Sequence, residues 1–129
     1  MLPSFLSLAE VVAIHSDQIE RYGGAPGVRD WGLLKSAVAM PAATFDGTYL
    51  HADLTSMAAA YLFHLVQNHA FVDGNKRVGA VATAVFLALN DGNLVADEDE
   101  YAELVISVAR GETSKSDIAE FFREKVHFD

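Results

Sequence analysis

The chain has 129 residues, 51% of them hydrophobic, with no cysteine and a formal net charge of −9. That length fits one domain, residues 1–129, with a proper core, and the absence of cysteine excludes a disulfide scaffold or thiolate zinc site and suits a reducing cytoplasm. The acidic balance argues against a direct nucleic-acid-binding surface and remains compatible with a basic protein partner.

In chain order, Met1–Ser7 lacks the basic n-region of a signal peptide, so none is expected. Ser7 with Glu10 reads as a capping box, opening a helix that runs to about Tyr22. Gly23 and Gly24 end it, and Pro26–Gly27 supply a turn. Asp30 caps a shorter helix through Ala39, stopped by Pro41. Residues 44–52, with Phe45, Asp46–Gly47 and Tyr49, suit a short β-type flap. Asp53 caps a helix from Leu54 to Asn68, and after a polar loop another runs from about Asn75 to Asn90. Asp97 or Asp99 opens the next, through Ala109, and Ser114 or Ser116 the last, to about Val126. With no strand series, the expectation is an all-α bundle of about six helices.

Two segments, Ala58–Val66 and Val78–Leu89, are apolar nearly all round and predict a central helix pair covered on every side. Both are too short to cross a bilayer, which takes ~20 apolar residues, so no membrane association is expected. The loop between them is thereby anchored at both ends.

That loop, His69 to Arg77, concentrates chemistry. His69 is a candidate base near neutral pH, and Asp73 is a hard oxygen ligand suited to Mg²⁺ beside phosphate oxygens. Gly74 allows a tight turn, and a helix starting near Asn75 presents unpaired N–H groups to an anion. Lys76 and Arg77 place two cations where the helix dipole disfavours them, as expected if an anion sits between. Phe71 reads as an apolar peg into the core. Taken singly, each residue has an ordinary role: His69 at a helix end, Asp73 as an N-cap, Lys76 and Arg77 as a solvated face. His64 reads as a hydrogen-bonded core histidine, Arg21 as compensation of a helix dipole, and Phe45 and Tyr49 as loop anchors or a target-docking flap.

The pattern His69-x-Phe71-x-Asp73-Gly74-Asn75-Lys76-Arg77 resembles the signature of the Fic/Doc superfamily, with the Lys76–Arg77 ending of its Doc (death-on-curing) branch. Ile14–His15, the run Ile19 to Gly24, Pro26–Gly27 and the stretch Phe86 to Gly92 are also Doc-like, so the resemblance spans most of the chain. It implies His69 as the catalytic base, Asp73 as the Mg²⁺ ligand, and Gly74, Asn75, Lys76 and Arg77 around the phosphates of ATP. Arg21, Tyr22, Phe45 and Tyr49 become candidates for the rim or for docking the target.

Adenylylating relatives carry glycine where this chain has Lys76 and a second arginine where it has Ala80. A lysine fills space that an α-phosphate needs, and losing the arginine removes a bidentate clamp. The resemblance therefore implies transfer of the γ-phosphate to a Thr or Ser hydroxyl, with elongation factor Tu the family's target. It also implies a toxin that arrests translation and is neutralised by a separate, Phd-like antitoxin chain. No Ser or Thr is followed by Glu at the fourth position and then Gly or Asn, as a built-in inhibitory motif would require. Two other activities fit the same residues: a nucleotidyl transferase, and a metal-dependent ribonuclease or phosphodiesterase.

Overall fold

A computed structural model describes residues 2–129; Met1 lies outside it. Side chains capable of accepting a backbone N–H begin five helices. Ser7 caps α1 (Leu8–Tyr22), Asp30 caps α2 (Trp31–Ala39) and Asp53 caps α3 (Leu54–Gln67). Asp97 caps α5 (Glu98–Ala109) and Ser114 caps α6 (Lys115–Lys125). Ser7–Glu10 and Asp97–Glu100 form full capping boxes. The helix α4 (Asn75–Leu89) alone starts without one: Gly74 stands at its N-cap in the left-handed region, φ 76° and ψ 20°. A 3-10 turn, Met40–Ala42, follows α2 where Pro41 forbids further α-helix.

The predicted all-α bundle is thus the observed fold, with small additions. The flap is a minimal hairpin, β1 (Thr44–Phe45) with β2 (Thr48–Tyr49). The absence of other strands expected from the sequence needs correction: β3 (Gly92–Leu94) pairs antiparallel with β4 (Val126–Phe128). Three residues on each side, far apart in the chain, carry no alternation long enough to read.

α3 lies at the centre, touched by α2, α4, α5 and α6, while α1 packs on α4 and α2. Its run from Met57 to Leu62 is entirely buried. α4 approaches it closely because Gly79 has no side chain; a Cβ there would stand 2.7 Å from Val66 Cγ2. The expectation that both central helices are covered all round holds for α3 except at Phe63 and His64, which are half-covered, and fails more widely for α4. Val78, Ala82, Phe86 and Leu87 are buried, whereas Val81, Ala84 and Val85 are half-covered and Leu89 is 50% exposed. Besides α3, the elements against α4 are α1, α5 and β3, and they leave that outer side open.

Candidate active site

The loop between α3 and α4 is held at nearly every residue. Phe71, fully buried, contributes about 1.5–3 kcal/mol of apolar burial and pins the loop from below. The buried ring of His15, from α1, stacks on it with centroids 3.8 Å apart and planes 11° from parallel. The same ring donates through Nε2 to the carbonyl of Asp73, at 2.8 Å. On the other side, residues 27–30 run against the loop as a single antiparallel bridge, Val28 to Phe71. Arg29 and Asp30 N–H both donate to Ala70 O, and Val72 N–H donates to Gly27 O.

His69 is exposed and adopts φ 50°, a left-handed conformation that costs a non-glycine residue about 1–3 kcal/mol unless its surroundings impose it. Here they do. The Arg29 guanidinium reaches the His69 carbonyl through Nε at 2.8 Å and Nη2 at 2.5 Å. At the ring, Nδ1 accepts from Asn75 Nδ2 at 3.2 Å. Arg29 and His15 are the residues sequence reading missed as parts of the site. Both act on backbone carbonyls of the loop, which leave no trace in a motif. The Doc-like placement of Ile14–His15 was the one available hint.

Asp73 is exposed, its Oδ2 accepting from Ala25 N–H at 3.1 Å and its Oδ1 from Gly74 N–H at 2.8 Å. Those two amides, then the nearby Arg77 and His15, hold its carboxyl below the ordinary carboxylate range. Each oxygen keeps a lone pair, so the group fits a Mg²⁺ ion that retains water and phosphate oxygens for most of its shell. Gly24 makes the approach possible: a Cβ there would sit 2.8 Å from Asp73 Oδ2 and 3.0 Å from an Arg77 nitrogen.

The first turn of α4 completes the site. With no side-chain cap, its leading N–H groups face a cavity of about 230 Å³ lined by His69, Asp73, Gly74, Asn75, Lys76 and Arg77. This is the arrangement that receives anions at helix N-termini. The side chains divide the work differently. Lys76 is exposed and makes no ion pair or hydrogen bond among the described residues. Arg77 donates to Gln18 O at 3.2 Å and Gly23 O at 2.8 Å, tying the end of α1 to α4. Asn75 is 6% exposed, with its amide spent inside the loop on Phe71 and His69. Gly74, Asn75, Lys76 and Arg77 therefore meet at one cavity, with Lys76 the side-chain cation left free.

The candidate rim residues are not gathered there. Arg21 pairs with Asp17 at 2.9 Å and Tyr22 is 70% exposed; the site is touched instead by the residues on either side of them, Gln18 and Gly23 to Ala25. The hairpin stands at the far end of α4, a helix of 15 residues and so about 22 Å long. Tyr49 packs on Phe5 and shares a separate cavity of about 710 Å³ with Leu89 and Asn90, and Phe45 is 73% exposed. His64 is half-buried and hydrogen-bonded, as read, but its partner is Lys115 Nζ at 2.9 Å.

Comparison with known proteins finds relatives of this chain. The model of the Fic/DOC family matches residues 5–87. The protein kinase doc of Escherichia phage P1 is 35% identical over 118 residues, 92% of each chain. The toxin Doc of Mycolicibacterium smegmatis is 49% identical over 78 residues, 60% of each chain.

Proposed function

Because the chain belongs to the Fic/DOC family, we propose that it is a Doc-type toxin, a protein kinase that transfers the γ-phosphate of ATP to a Ser or Thr hydroxyl of a translation factor. The names of the two relatives above, one a kinase and one a toxin, support both halves of that reading. The observation that carries it is the convergence of His69, Asp73 and the uncapped first turn of α4 on one cavity.

The residues divide the reaction as follows. The N–H groups of α4's first turn and Lys76 hold phosphate oxygens, placing the terminal phosphorus within reach of His69. His69 takes the proton from the target hydroxyl as that oxygen bonds to the γ-phosphorus and the bond to the departing ADP breaks. Asp73 would hold Mg²⁺, which when bound neutralises phosphate charge. Lys76 beside the anion site favours a terminal phosphate there over an α-phosphate, which bears a bulky nucleoside. Elongation factor Tu is the proposed target, the cytoplasm the proposed location, and a separate Phd-like chain the proposed antitoxin.

Expression in bacteria tests the reading. Wild-type protein should arrest growth, and His69→Ala or Asp73→Ala, folded by circular dichroism, should relieve the arrest completely. Undiminished arrest by a folded His69→Ala protein would remove the catalytic assignment.

A further inference from the structure

Asn75 is drawn into the loop rather than toward solvent, and its amide has only one possible orientation. Phe71 N–H must donate, so the atom it meets at 3.0 Å is Oδ1; Phe71 C=O must accept, so the atom it meets at 3.0 Å is Nδ2. Turning the amide over would break both bonds at once. The second proton of Nδ2 is then directed at His69 Nδ1, 3.2 Å away. A nitrogen that faces a donor must offer its lone pair, and a neutral imidazole has one such nitrogen. The ring proton is therefore on Nε2.

We propose that Asn75 is a positioning residue that latches His69 in the Nε2–H tautomer in the free protein. This rests on the reading of His69 as the base. Such a base must present a lone pair to the target hydroxyl, and Nε2 is the ring nitrogen without a protein partner among the described residues. In the latched ring that nitrogen carries a proton and can only donate. Accepting the target's proton there requires the ring proton to sit on Nδ1, where it would point at the Asn75 amide protons. The latch must open before transfer. The backbone cannot open it by drift, because Arg29 grips the His69 carbonyl with two nitrogens and Ala70 O is held by two N–H groups. The event placed to release it is occupation of the α4 turn that Asn75 itself begins.

Histidine tautomers are read directly from two-bond ¹⁵N–¹H correlations on protein labelled at histidine nitrogen. Comparison with His69→Ala assigns the His69 signals among the five histidines. At a pH where the rings are neutral, free wild-type protein should give the Nε2–H pattern for His69. Asn75→Ala should collapse that preference toward the mixture of an unconstrained imidazole. An Nδ1–H pattern in wild type would overturn the proposal, as would an Nε2–H pattern unchanged by Asn75→Ala. Wild type alone decides the first point should Asn75→Ala fail to fold. The spectra need neither nucleotide nor target, so failure of the latch and failure of phosphoryl transfer are separate results.

Discussion

The Arg29 guanidinium fixes the backbone at His69, the proposed base. Its left-handed backbone persists because Arg29 binds the carbonyl through two nitrogens, a planar fork that lysine cannot reproduce. Arg29→Ala should leave the melting temperature nearly unchanged, since Arg29 is exposed, yet lower turnover about 10–100-fold by misplacing the proposed base. Arg29→Lys should recover part of that loss. Turnover equal to wild type in Arg29→Ala would show that the conformation is held otherwise. The contrast explains how far the site was legible. His69, Asp73, Gly74, Asn75, Lys76 and Arg77 lie in one short run whose residue types already imply a base, a metal ligand and an anion site. The supports lie 40 and 58 residues away in sequence, at Arg29 and His15, and bond to carbonyls that every residue possesses. Nor could sequence tell that Arg77 would be spent on carbonyls at the end of α1 and Asn75 on the loop, because either side chain can donate to a phosphate as readily as to a backbone carbonyl of its own chain.

Between elements, the closest approach is at Gly79, where α4 meets Val66 of α3. Gly79→Ala brings two opposed effects: helix propensity improves by about 1 kcal/mol, and a methyl is forced into a packed seam at about 1–3 kcal/mol. The contact distance of 2.7 Å, against a branched side chain that is itself buried, makes the second prevail. Denaturant unfolding should therefore show a net loss of up to about 2 kcal/mol, and a gain would mean the helices can separate freely. The helices themselves were readable because their starts are local chemistry: a Ser or Asp accepts an N–H three residues on, and the chain repeats that device at Ser7, Asp30, Asp53, Asp97 and Ser114. The β3–β4 pair was not, since its register depends on where the chain end lands. α4's open flank was not either, because alanine and valine look the same in sequence whether a neighbour covers them or water does.

Across the whole molecule, stability should respond to acid through a basic cluster between α3, α6 and the segment before Asp53. Lys115 Nζ donates to His64 Nε2 at 2.9 Å and to His51 Nε2 at 3.3 Å, with Asp53 and Arg123 lining the same cavity. Burial first, then Lys115 and His51, pushes the His64 ring down from 6.5 to about 4. The unfolded chain binds that proton more readily than the folded one. The resulting stability is complete above pH 6.5 and is lost as pH falls toward 4. Melting temperature should drop across that window, and His64→Gln, which keeps an acceptor for Lys115, should flatten the drop; an equal slope in the variant would place the acid sensitivity elsewhere. The proposed function turns at this scale on which group is transferred. ATP labelled at the γ- or the α-phosphate, incubated with the protein, Mg²⁺ and bacterial extract, tests it most directly. Label from the γ-position on a protein the size of elongation factor Tu, absent with His69→Ala, is the predicted result. Label from the α-position, or from neither, would contradict a kinase built on this loop.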